Sequence, residues 1–138
     1  MNNGGMARLT EEELEFLDNP FVGVVTTIRP DGSPHNTVVW VDRDDGDVSF
    51  NTATGRAKPR HLEQDPRVAL TVVDPKDDHR WLSISGTAEL TRDDADPQID
   101  RLAKKYTGAD EYPSRTETEQ RLKVRIRPDR VESRGLDG

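Results

Sequence analysis

"FVGVVTTIRPDGSPHNTVVWVDRDDGDVSFNTA", residues 21–53, is the stretch that decides the fold. From Phe21 the pattern takes a period of two, as in a strand with one buried face. "RPDGSP" (29–34) and "RDDGD" (43–47) break it with turn residues. Three strands, FVGVVTTI, HNTVVWVD and DVSFNTA, joined by short turns, make an antiparallel meander.

Toward the N-terminus, "LTEEELEFLDN" carries a capping box, Thr10 with Glu13 three residues on. Leu14 and Leu17 give it a helical stripe, Leu9 is placed to staple it, and the helix is expected to end near Asn19-Pro20. Residues 1–8, rich in Gly and Asn, are expected to be disordered. Toward the C-terminus, "RVALTVVD" (67–74) reads as a strand, "PKDDHR" (75–80) as a turn and "WLSISGTAEL" (81–90) as a long strand. Gly86 inside that strand predicts a bulge or bend. "DADPQIDRLAKKYTG" (94–108) spaces Ile99, Leu102, Ala103 and Tyr106 as a helix, with Asp93 or Asp94 at its start and Gly108 at its end. "ADEYPSRTETEQ" (109–120) is polar loop. "RLKVRIRP" (121–128) alternates Leu122, Val124 and Ile126 as a last strand, which "DRVES" extends. The domain is therefore expected over 9–134, with a tail at 135–138. Six or so antiparallel strands and a crossing helix predict a small mainly β barrel, whose closure removes exposed edges.

With 138 residues, 34% charged and only 31% hydrophobic, the chain has a lean core, which points to burial against a second subunit. The net charge of −7 argues against nucleic acid as a partner. There is no cysteine, so disulfide and thiolate chemistry are absent. No apolar run reaches membrane-spanning length and no signal-peptide pattern opens the chain, so no membrane partner is expected and the sequence reads as cytoplasmic.

Against this acidic background, "NTATGRAKPRHLEQDPRVAL" (51–70) places Arg56, Lys58 and Arg60 within five residues. They follow a strand and a Thr54-Gly55 turn and open a short helix, with Thr54 as the expected N-cap. Helix-terminal amides with an arginine fork and a lysine point charge suit a phosphate. The same three side chains also read as a solvated helix face offset by Glu63 and Asp65, and spacing alone leans slightly that way.

The segments "VGVVTTIRPDGSPHNTVVWV", "VSFNTATGRAKPRHLEQDPRVALTV" and "GTAEL" resemble the pyridoxamine 5′-phosphate oxidase-like, FMN-binding split-barrel superfamily. The R-x-K-x-R-x-L-x-x-D-P-R-V run from Arg56 is the most specific part, and the chain is most similar to the branch that uses the deazaflavin coenzyme F420. The resemblance implies a six-stranded antiparallel split β-barrel with a few flanking helices. It implies a homodimer with cofactor at the interface. It implies Arg56 and Lys58 on the cofactor phosphate, and the strand at Thr37, Val38 and Val39 along the ring edge. Asn51 and Thr52 fall on the ring and ribityl chain; Arg60 faces either a polyglutamate tail or water. The end of the chain, "RIRPDRVESRGLDG", lacks the Arg- and His-containing stretch of true pyridoxamine phosphate oxidases, so vitamin B6 oxidation is not expected.

The implied activity is F420H2-dependent reduction of a small electron-poor organic substrate by hydride transfer from C5 of the deazaflavin. Two readings stand beside it: an FMN-binding oxidase or flavin reductase, and a carrier of flavin, deazaflavin or haem without turnover. No catalytic side chain is expected, because the cofactor supplies the chemistry. His35, His61 and His79 lack metal-ligand spacing, although His35 opens the ring-flanking strand. Trp40 is assigned to core or dimer interface ahead of ring stacking.

Overall fold

The computed structural model describes residues 7–136. Its elements are α1 (Glu11–Leu17), β1 (Gly23–Ile28), β2 (Pro34–Val39), β3 (Val41–Asp44), β4 (Asp47–Ala53), α2 (Ala57–Gln64), β5 (Arg67–Asp74), β6 (Asp77–Thr91), α3 (Ala95–Thr107) and β7 (Arg121–Arg134). One seven-stranded sheet runs in the order β2-β1-β5-β6-β7-β4-β3. Every pairing is antiparallel.

The seventh strand comes from dividing one expected strand. "HNTVVWVD" is interrupted at Trp40, so that β2 pairs with β1 while β3 pairs with β4. β2 and β3 are the two edges of the sheet, and a single residue joins them. The sheet thereby wraps round its core as a split barrel.

That core holds Phe50, Leu70, Ile84, Val124 and Ile126, all essentially inaccessible. They come from β4, β5, β6 and β7, each presenting alternate residues to the inside. Helix α1 adds Leu14, Phe16 and Leu17, and its capping box forms: the Glu13 amide donates to the Thr10 hydroxyl while the Glu13 side chain accepts from the Thr10 amide. Leu9 and Leu14 join the same cluster, as a staple requires.

Several boundaries differ from the sequence reading. Asp77–Arg80, expected within a turn, extends β6, because the Asp74 carboxylate accepts from the Lys76 amide and tightens the turn to Pro75 and Lys76, so that Asp77 pairs back to Asp74 of β5. Thr54 does not cap α2. Gly55 takes a left-handed φ of +85°, and Arg56 becomes the N-cap residue with no side-chain cap. Asp94 takes the N-cap place of α3 without capping, and spends its carboxylate on Arg101 and Lys123 instead. Leu136, expected in the tail, is buried in the core. The amide of Ala7 donates to the Pro128 carbonyl at 3.1 Å, which ties it to β7; the rest of the expected N-terminal disorder lies outside the described residues.

Gly86 behaves as its place in the strand predicts. Ser85 pairs with Arg130 but Gly86 pairs with Pro128, so the register shifts between them. A Cβ at Gly86 would run into the backbone carbonyl of Arg127. Pro128 sits at this irregularity, where a missing amide is tolerated in an inner strand. Among the described residues no helix is long and apolar enough to cross a membrane.

The Gly86→Ala variant should lose about 1–3 kcal/mol of stability, because the added methyl meets backbone that cannot step aside. Urea unfolding of parent and variant measures it, and equal stability would mean the two strands have room to part here.

Candidate functional site

The corner at which β2 becomes β3 is one wall of an open cavity of about 190 Å³. Val38, Val39 and Trp40 form this wall, and Asn51 and Thr52 of β4 stand beside it. Ile99 and Leu102 of α3 supply an apolar floor, Tyr112 a further aromatic side, and Arg56, Lys58 and Arg121 the cations.

The aromatic side is ordered by stacking. Trp40 lies parallel to Tyr106, with ring centroids 5.4 Å apart, and meets Tyr112 edge-on at 6.1 Å. The Tyr106 hydroxyl accepts from the Val41 amide at 2.9 Å and donates to the Phe21 carbonyl at 2.7 Å. Burial pushes this phenol up to about 12, so it stays protonated and keeps both bonds. Trp40 is thus held from behind by α3, which no local pattern in the sequence disclosed.

The basic residues come together from two separate parts of the chain. Arg56 and Lys58 open α2, whose first turn carries no acid. Arg121 opens β7 and reaches the same place because it pairs with Ala53, the last residue of β4. Its side chain is only 4% exposed. Burial lowers the Lys58 ammonium below the usual lysine range, and the nearby charges of Arg56 and Arg121 add to the effect. Lys58 has no anionic partner among the described residues. A half-buried ammonium in the field of two guanidiniums is stabilised by an added anion.

A line of hydrogen bonds fixes the direction in which these groups point. Asp42 is a carboxylate and can only accept, so the Gln98 amide nitrogen faces it at 3.2 Å and also donates to the Ser49 hydroxyl at 2.9 Å. The Gln98 oxygen is left to accept from the Asn51 amide nitrogen at 3.0 Å, and that nitrogen also donates to the Ala95 carbonyl at 2.8 Å. The Asn51 oxygen then faces Arg121, whose Nε donates to it at 2.8 Å. Asn51 is therefore occupied by protein at both ends of its amide, and its effect on a ligand runs through Arg121. Thr52 differs: its hydroxyl is buried without a partner beside the cavity.

Six of the eight residues singled out in the sequence line the cavity: Val38, Val39, Asn51, Thr52, Arg56 and Lys58. Thr37 points inward from β2 and is not part of the lining; its hydroxyl is also buried without a partner. Arg60 is exposed further along α2 and lies outside the cavity. The sequence reading missed Arg121, Tyr112, Ile99 and Leu102 as site residues. The last two were seen only as a helix stripe, and Arg121 only as the first residue of a strand. His35 and His61 meet edge-on at 5.0 Å, and His61 Nδ1 lies 2.9 Å from the Thr27 hydroxyl. Among the described residues no group of side chains is placed to hold a metal ion.

Gln98 is fully buried, and replacing it by leucine strands the buried Ser49 hydroxyl and takes one of two acceptors from the Asn51 amide nitrogen. The Gln98→Leu variant should lose about 1–3 kcal/mol, the cost of buried polar groups without partners. Unfolding midpoints test this, and an unchanged midpoint would show that the line of hydrogen bonds carries no stability.

The fold and the sequence have known counterparts. The chain is 30% identical over 118 residues to the F420H(2)-dependent biliverdin reductase of Mycobacterium tuberculosis (strain CDC 1551 / Oshkosh), a match that covers 83% of this chain and 85% of that protein. Its fold is similar to a solved F420 reductase, with a TM-score of 0.76 and 27% identity over 90% of this chain and 98% of the other. A conserved hypothetical protein from Mycobacterium tuberculosis gives a TM-score of 0.72 and 26% identity over 99% of this chain and 90% of the other. The sequence profile of the family described as pyridoxamine 5′-phosphate oxidase matches residues 9–135, and the chain belongs to that family.

Proposed function

We propose that this protein is a reductase dependent on F420H2 that acts on a small electron-poor organic substrate such as a conjugated alkene or imine. The observation that carries the reading is the meeting of Arg56, Lys58 and Arg121 in one cavity with the apolar and aromatic side chains of Val38, Trp40, Ile99, Leu102 and Tyr112. Cations beside flat apolar surface suit a tricyclic ring with a phosphate on a flexible arm. The similarity to the F420H(2)-dependent biliverdin reductase and the F420 reductase favours a deazaflavin over FMN.

When bound, the reduced deazaflavin supplies a hydride from C5. The protein's part is to bind, orient and shield. Arg56 and Lys58 hold the phosphate, with Arg121 turned toward it by Asn51. The backbone of β2 over Thr37, Val38 and Val39 lies along the ring edge, and the free Thr52 hydroxyl is placed to bond to the ring or the ribityl arm. Trp40, Ile99 and Leu102 keep water from one side.

The cavity of about 190 Å³ is smaller than the roughly 300–1,000 Å³ of typical ligand sites, so a second wall is needed. A homodimer provides it in this reading. What supports a second copy is the outer face of β1, β2 and β5, where Val22, Val24, Val38 and Val73 are 42–65% exposed and Val24 pairs directly with Val38. Exposed apolar residues gathered on one sheet face mark an interaction surface. Val38 belongs to both this face and the cavity.

Two measurements bear on the reading. Protein made in a host without the deazaflavin should be colourless and should bind added F420 more tightly than FMN. The double variant Arg56→Ala, Lys58→Ala should lose roughly ten- to hundredfold in F420 affinity for each charged hydrogen bond removed, at 1.5–3 kcal/mol apiece. A yellow protein carrying stoichiometric FMN sinks the deazaflavin reading, and unchanged affinity in the double variant sinks the phosphate assignment. For the dimer, light scattering should give twice the chain mass for the parent and the single mass for Val24→Asp, Val73→Asp; a monomeric parent overturns it.

A further inference from the structure

The cationic end of the cavity includes one carboxylate. Glu119, in the loop before β7, sits behind the lining rather than in it. Its Oε1 accepts from Arg121 Nη1 at 2.8 Å, and its Oε2 lies 3.6 Å from Arg56 Nη2. The side chain is only 14% exposed. Burial works to raise the Glu119 carboxyl, but the hydrogen bond and charge of Arg121, joined by Arg56, outweigh it and hold the group below the usual carboxylate range. Glu119 is therefore an anion at neutral pH.

Its charge changes what the site can accept. Of the three cations, Arg121 is paired with Glu119 and held by Asn51 on its other side. Arg56 is shared with Glu119 at longer range, and Lys58 alone has no protein anion among the described residues. The free positive charge is then little more than that of one lysine and part of one arginine. A phosphate with one negative charge is matched by that. A phosphate monoester carries about −1.5 to −2 at pH 7, so it meets the Glu119 carboxylate with up to twice the repulsion.

We infer that Glu119 sets the site's preference for a phosphodiester, with its single charge, over a phosphate monoester. This rests on the reading of the cavity as the seat of a cofactor phosphate. F420 carries its phosphate as a diester and FMN as a monoester, so the same carboxylate discriminates between the two cofactors without touching either ring. It acts through Arg56 and Arg121 and is a specificity residue, not a catalytic one.

The test uses the full-length protein, with dissociation constants for F420 and for FMN measured at pH 7.5 on the parent, Glu119→Gln and Glu119→Asp. Glutamine keeps the shape and a hydrogen-bonding oxygen toward Arg121 but removes the charge; aspartate keeps the charge. In Glu119→Gln the affinity for FMN should rise relative to F420 by roughly tenfold, the scale of one charge contact at a half-exposed site. Glu119→Asp should retain the parent ratio within about threefold, a difference of less than 1 kcal/mol. A ratio that does not move in Glu119→Gln overturns the inference while leaving the cofactor reading intact. A ratio that shifts equally in both variants also overturns it, since that would trace to loop packing and not to charge. If the parent binds neither ligand, the cofactor reading falls and the inference falls with it.

Discussion

The run of chain from Pro34 to Asp44 serves both edges of the sheet, and the rest of the architecture depends on its change of partner at Trp40. Up to Val39 its hydrogen bonds go to β1; from Val41 they go to β4. An open seven-stranded sheet would leave two rows of unpaired amides and carbonyls, and here the two edges are joined by one residue. The same turn of the backbone opens a gap between β2 and β4, and the cavity is that gap. Tyr106 stacks on Trp40 from behind, so α3 is committed to one side of the barrel.

Helix α3 is secured at both ends by polar contacts, not by apolar packing alone. At its start, Asp94 is held to about 2 by the hydrogen bonds of Arg101 and Lys123, against the opposing effect of partial burial. Lys123 is buried and also pairs with Asp44 at 2.7 Å. At its end, Lys105 donates to the carbonyls of Leu17 and Val41. Buried charges are costly unless they are paired or hydrogen-bonded: Lys123 is paired with two carboxylates, and Lys105 is held by two carbonyls. That is how a chain this rich in charge closes a core with so few large apolar residues. The clamp also decides the site, since Gln98 and Ile99 lie between the two anchors.

The two hairpins, the Gly86 irregularity, the capping box of α1 and the span of β4 and β5 were all legible in the sequence, because each depends on residues a few positions apart; the break at Trp40 that parts the expected meander into those hairpins was not. The expected turn at 75–80 was legible only in part: it tightens to Pro75 and Lys76, because the Asp74 carboxylate takes the Lys76 amide and the Arg80 guanidinium and Asp77 already pairs with Asp74. The N-cap of α2 was misplaced for a related reason: Thr54 is a good cap by type, but Gly55 turns the chain one step later and the Thr54 amide donates to the Gln120 carbonyl instead. In the site, Arg56 and Lys58 stood out by charge against an acidic chain. Arg121 and Glu119 did not, since each is one charged residue among many near the end of a polar loop.

By itself the sequence determined most of the strand pattern, the two hairpin turns, and the pair of cations after β4. Period and turn chemistry are local, and a cationic cluster in an acidic chain is visible as composition. Only the tertiary structure decided that Arg121 completes the trio, that Asn51 is used up in aiming it, and that Glu119 takes back part of its charge. Those facts follow from the pairing of Ala53 with Arg121 across some seventy residues, and from a line of donors and acceptors whose direction is set at Asp42, far from Arg121 in sequence and two side chains away from it in space.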